Sequence, residues 1–184
     1  MSLSLSSCKE SNEKLTERGV IYIRQGQYSE AIKVFSAIIT RNDKLQIPYY
    51  NRALCYAELN DLDRALDDLN TVISLHGAAM EGKSESNTLF SEEEDRAQVS
   101  ITEALYERGQ ILYKLDSLDK ANKDFTGLIS SNYEKSSCFL WLGLIWIKQG
   151  NESKACEMFN QAKHFALTEQ EKEEAKRFIT DNCN

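Results

Sequence analysis

Punctuation is scarce in this chain. One proline, Pro48, and eight glycines serve 184 residues, too few for the many tight turns of an all-β domain. Long apolar runs are missing too. The longest, Cys138 to Ile147, has ten residues, about half of what crosses a bilayer. The opening MSLSLSSCKE lacks a basic stretch followed by an apolar core, so no secretory signal is expected. A dense basic stripe is absent and the net charge is −7. Nucleic acid and polybasic membrane anchoring are therefore not expected as partners. The five cysteines (Cys8, Cys55, Cys138, Cys156 and Cys183) are odd in number and have no C-x-x-C spacing. They are expected to be reduced thiols, in the cytoplasm or alternatively the nucleus.

What is present is periodic. The stretches 25–39, 59–73, 115–129 and 149–163 align with Ala31, Ala65, Ala121 and Ala155 in one column and Phe35, Leu69, Phe125 and Phe159 in another. Upstream, Gly19, Ala53, Gly109 and Gly143 share a column, followed three residues later by Tyr22, Tyr56, Leu112 and Trp146. The period is 34 residues, with 22 extra residues between the second and third units. Each unit reads as two amphipathic helices of about fourteen residues. Polar turns join them at Gly26-Gln27, Asn60-Asp61, Asp116-Ser117 and Gly150-Asn151. Asp, Ser and Asn in these turns are expected to cap the second helix. Small residues facing each other let two helix axes approach, and the bulky residue four positions on lies one turn further along the same face.

These columns resemble the tetratricopeptide repeat, over residues 12–45, 46–79, 102–135 and 136–169. The aromatic near the start of the first helix is weaker here, as Leu15, Tyr49, Leu105 and Phe139. The usual closing proline is replaced by Asp43, Gly77 and Tyr133, so repeat ends are expected to be less sharply broken. The resemblance implies an all-α, right-handed α-solenoid of antiparallel helix pairs, a superhelix. Residues 1–11 are expected to form a flexible arm, with repeats at 12–79 and 102–167. A capping helix is expected in 168–184, from the Thr168/Glu171 capping-box pattern and the apolar stripe Ala175, Phe178, Ile179.

Between the halves, 80–101 forms an acidic insertion. Met80 to Gln98 carries six acids against Lys83 and Arg96. A loop near Gly77–Phe90 is expected, then a helix beginning at Glu92, because Ser91 and Glu94 form a second capping-box pattern. Within it, Gly77 to Ser84 spells the phosphate-loop string G-x-x-x-x-G-K-S. That loop requires a preceding β-strand and an α/β setting. Here an amphipathic helix precedes it and acids follow, so the string reads as coincidence, with nucleotide binding the least favoured of three functions.

No catalytic, cofactor-binding or metal constellation is found, and a non-enzyme is expected. His76 and His164 have no ligand-spaced companions. Cys55, Cys138 and Cys156 read as small core residues. The leading function is a scaffold or adaptor that binds a protein partner, as a peptide or amphipathic helix, in a concave groove. The resemblance maps that groove to Val20, Ile23, Arg24, Ile47, Tyr50, Asn51, Leu54, Tyr106, Gln110, Tyr113, Leu140, Leu144, Ile147 and Lys148, flanked by Thr16 and Glu103. The carboxylate clamp with which one branch of the family grips Hsp70 and Hsp90 tails maps to Thr16, Val20, Asn51, Glu103 and Glu107. Only Asn51 matches, so such tails are disfavoured. The second function is self-association as a homodimer, with the groove filled by the insertion or another copy. Tyr50, Tyr106 and Tyr113 also admit a plainer reading, as packing between repeats, and Asn51 as a local hydrogen-bonding residue.

Overall fold

The computed structural model describes residues 10–85 and 99–183, with side chains described outside 79–85. Helices α1 (Asn12–Arg24), α2 (Tyr28–Arg41), α3 (Gln46–Glu58) and α4 (Leu62–Glu85) form a first unit that extends to Val99. Helices α5 (Ile101–Lys114), α6 (Leu118–Ser130), α7 (Lys135–Lys148), α8 (Glu152–Phe165) and α9 (Glu169–Asn182) form a second. No strand occurs among the described residues. Consecutive helices pack pairwise within each unit.

The turn inside each pair is one device used four times. Gly26, Asn60, Asp116 and Gly150 occupy one column, and each has a left-handed backbone, with φ of 70°, 58°, 58° and 74°. Glycine adopts that conformation freely, and Asn and Asp tolerate it better than other residues. The following residue donates its N–H back to the first helix: Gln27 to Tyr22, Asp61 to Tyr56, Ser117 to Leu112 and Asn151 to Trp146, at 2.8–2.9 Å. These bonds close the helix C-terminus in the Schellman manner. The expected side-chain capping holds for two turns: Asn151 Oδ1 accepts from the Lys154 N–H at 3.1 Å and Asp61 Oδ1 from that of Arg64 at 3.4 Å. Ser117 makes no such bond.

The core follows the aligned columns. Ala31, Ala65, Ala121 and Ala155 are fully buried, as are Phe35, Phe125 and Phe159. Each phenylalanine ring lies against a glycine of the preceding helix. A methyl group on Gly19 would sit 2.5 Å from the Phe35 ring, one on Gly109 2.8 Å from Phe125, and one on Gly143 2.2 Å from Phe159. In repeat two the same columns hold Ala53 and Leu69, both buried: a larger residue on the first helix, a smaller one on the second.

A second cross-helix device escaped the columns read above. Arg52 donates from Nε and Nη2 to both carboxylate oxygens of Asp68 at 2.8 Å, while its Nη1 donates to Ser36 Oγ at 2.9 Å. One repeat unit later in the alignment, Arg108 makes the same fork onto Asp124 at 2.7–2.8 Å. Asp68 and Asp124 are buried. A planar guanidinium satisfies both oxygens at once, which is what a desolvated carboxylate requires. The repeat-four columns hold Leu142 and Met158 instead, an apolar solution to the same position.

Repeat ends behave unequally without proline. Repeat one stops at Arg41, where Asn42 turns extended, and repeat three at Ser130. In repeat two α4 passes through Gly77 and continues to Glu85, so the expected loop from Gly77 is helical as far as Glu85. The next helix does not arrive early either. Val99 and Ser100 are non-helical and α5 begins at Ile101; the pattern at Ser91 and Glu94 lies outside the described residues. Val99 is buried, and its N–H donates to Gln46 Oε1 at 3.2 Å, tying the end of the insertion to α3. Pro48 falls in the first turn of α3, where its missing N–H leaves no bond unmade.

The final helix is built as expected. Thr168 accepts from the Glu171 N–H at 3.2 Å and Glu171 accepts from that of Thr168 at 2.9 Å, a closed capping box. The carboxylate of Glu171 also takes the Leu167 N–H, and these backbone donors hold its pKa below the ordinary value. α9 packs mainly on α8 and lightly on α7, as α3 packs on α2 and α1. It therefore takes the seat of a fifth repeat's first helix.

Candidate functional site

The first helices carry the mapped residues, and packing divides them into three kinds. Leu140 is core: it is buried with Ala155, Phe159, Ala162 and Ala175. Its assignment to an open groove is corrected, because α9 covers the face on which it lies. Ile147 and Ile23 pack partly on the cores of their own units.

The tyrosines of α5 join neighbouring repeats. The Tyr106 ring meets Phe125 and Tyr133 edge-on at 6.0 Å, and its hydroxyl accepts from Trp141 Nε1 at 3.3 Å. Tyr113 stands edge-on to Trp141 at 5.3 Å, with Lys148 Nζ 4.3 Å above its ring. Lys148 also donates to the Tyr113 carbonyl and to Asp116, at 3.1 and 3.2 Å. Asn51 Nδ2 donates to the Ile47 carbonyl at 2.9 Å, a bond within its own helix.

The third kind keeps part of its surface in solvent. Val20, Ile47, Tyr50 and Leu54 in the first unit, and Gln110 and Leu144 in the second, are half-buried, while Arg24 is exposed. At the start of α5 the surroundings are acidic. Burial, then Glu103, Glu134, Tyr106 and Glu107, push the Tyr133 hydroxyl above its ordinary pKa. Glu103 is exposed.

The Gly77–Ser84 string sits inside α4. Its backbone N–H groups are directed along a helix, whereas a phosphate loop must turn successive N–H groups toward one anion. Among the described residues no group of His, Cys, Asp and Glu could hold a metal, and no helix is long and apolar enough to cross a membrane.

The cysteines depart from expectation. Cys156 and Cys183 form a disulfide, so neither is a reduced thiol and Cys156 is not a packing residue. The sequence hides this pairing, since 27 positions separate them and only the docking of α9 brings them together. Cys55 and Cys138 are free and buried. Burial pushes their thiols up to about 11 and about 12, with nearby Glu58 and Glu134 adding to it. The thiolate is the nucleophile, so alkylation of both is expected to stay slow at pH 8 in the folded protein. Unfolding in urea should accelerate it by ~100-fold or more, since the ordinary thiol pKa and steric access are regained together. Mass-resolved iodoacetamide labelling reads this directly. The raised values also set a sign: their contribution to stability is intact below the ordinary thiol pKa of 9.0 and is lost as pH climbs toward 11–12.

Paired helices, the glycine–aromatic interlock and the repeated left-handed turn together define a helical-repeat protein. The chain belongs to the tetratricopeptide repeat family, whose models match residues 16–79 and 137–164, together half the chain. Hsp70-Hsp90 organizing protein 3 of Arabidopsis thaliana is 33% identical over 95 residues, covering 50% of this chain and 17% of that protein. The MamA RS-1 ArsTM double mutant superposes with a TM-score of 0.71 at 14% identity, covering 97% of this chain and 88% of that one. The second TPR of Spaghetti (RPAP3), bound to the HSP90 peptide SRMEEVD, superposes with a TM-score of 0.51 at 20% identity, covering 65% and 91%. At these identities the superpositions bear on fold alone. The chain spans about a fifth or less of the length of the curated relatives it matches.

Proposed function

We propose that this chain is a non-catalytic interaction scaffold that holds a peptide or amphipathic helix of a partner protein against the first helices of its repeats. One observation carries the reading. After the second helices have filled the core with their Ala and Phe columns, the first helices retain half-buried apolar side chains: Val20, Ile47 and Leu54 in one unit, Leu144 in the other. Apolar surface left at regular helical spacing suits helix-in-groove recognition.

The test is affinity capture with wild type beside Leu54→Asp and Leu144→Asp, each confirmed helical by circular dichroism. Partners retained by wild type and lost from one variant assign binding to that unit. Equal capture by all three proteins removes the first-helix faces from consideration.

The relatives raise a second reading, binding of Hsp tails, since two of them are Hsp70-Hsp90 organizing proteins and one structural neighbour holds an HSP90 peptide. The residues here oppose it. Glu103 and Glu107 stand where a carboxylate clamp needs cations, and after burial, which is the larger cause, both add to the raised pKa of Tyr133. Titration with SRMEEVD peptide is expected to show no saturable binding in the micromolar range. Saturation there would reverse this preference.

A further inference from the structure

Helix α9 packs on α8 much as α3 packs on α2, but its seat on repeat four is small and apolar. Ala175 is its one buried residue; Phe178 and Ile179 are half-buried, with the Phe178 ring stacked on Phe159 at 5.2 Å. By contrast α2 and α6 each bury four residues. The ion pairs of α9, Lys172–Glu169 and Lys176–Glu173, lie within the helix and are exposed, so they do not bind it to α8. Its capping box likewise closes on itself. A fourteen-residue helix of this kind is marginal when undocked. The disulfide from Cys183, at the C-terminal end of α9, to Cys156 on α8 fastens the end opposite the capping box.

We propose that the Cys156–Cys183 disulfide is a redox-sensitive clip: a dithiol reductant opens it, frees α9 and uncovers the apolar seat formed by Leu140, Ala155, Phe159 and Ala162. The balance is that of thiol–disulfide exchange. One reductant thiolate attacks a cysteine sulfur, the Cys156–Cys183 bond breaks, and the departing thiolate takes a proton from water. The second reductant thiolate then attacks the reductant's own sulfur in the mixed disulfide and expels the remaining protein cysteine as a thiolate, which also takes up a proton. The protein ends with two thiols and the reductant as a disulfide. Both clip cysteines are half-buried and can be reached by a reductant, and theirs is the disulfide found among the described residues.

Hydrogen exchange on the full chain tests this, comparing the air-oxidised protein, the same protein in excess dithiothreitol, and Cys183→Ser. Closing a loop of this length is worth up to a few hundredfold in local stability. Amides of residues 172–182 are therefore expected to exchange ~100-fold faster after reduction, while those of α7 and α8 change little. Cys183→Ser should resemble the reduced protein with or without dithiothreitol. Three results would overturn the proposal: equal protection of α9 in both redox states, equal acceleration throughout α7, α8 and α9, or free Cys156 and Cys183 thiols by mass in the air-oxidised protein.

Discussion

Gly143→Ala is expected to destabilise the C-terminal unit by about 2 kcal/mol, although alanine is the better helix former by about 1 kcal/mol. The added methyl would lie 2.2 Å from the Phe159 ring. That ring is fully buried and stacked on Phe178, so it cannot swing aside without disturbing the seat of α9. Propensity is a weak term here and overpacking the dominant one. Phe159→Leu alone should also destabilise, by leaving a cavity. The double variant Gly143→Ala/Phe159→Leu reproduces the Ala53/Leu69 combination of repeat two and is expected to recover most of the loss. Urea denaturation followed by circular dichroism measures the cycle. Strict additivity of the two changes would show that the glycine and the ring are not one packing unit.

Asp124→Ala is expected to cost about 3 kcal/mol or more, since it removes the carboxylate that accepts both prongs of the half-buried Arg108 guanidinium. Asp124 accepts both prongs of the arginine and is 5% exposed at its side chain, against 22% for Arg108. The penalty is one of leaving a desolvated charge, not a measure of what the ion pair contributes over an apolar alternative. Repeat four supplies that alternative with Leu142 and Met158 in the same columns. Arg108→Leu/Asp124→Met is accordingly expected to lie within about 1 kcal/mol of wild type. Chemical denaturation of the single and double variants checks both values. A double variant as unstable as Asp124→Ala would mean that the arginine has a further structural task on α5.

Residue types at fixed spacing were enough to determine the helix pairs, their period and the closing helix. The small-residue and Phe columns act through local geometry: residues four apart share a helix face, and a glycine admits a ring only where axes come close. Thr168 and Glu171 needed nothing beyond three residues of separation to form their box. The turn columns were visible as a choice of Gly, Asn or Asp, although their shared left-handed backbone appeared only in three dimensions.

Only the tertiary structure decided what depended on partners distant in sequence. Leu140 has the spacing of a groove residue, but α9 folds over its face and makes it core. Arg52 and Arg108 carry no local mark of being paired; the carboxylate that completes each lies sixteen residues away across a helix hairpin. α4 runs through Gly77 because one glycine weakens a helix by only about 1 kcal/mol. Cys156 and Cys183 became a bonded pair because the docking of α9 sets their Cα atoms 5.6 Å apart, a distance that spacing along the chain could not reveal.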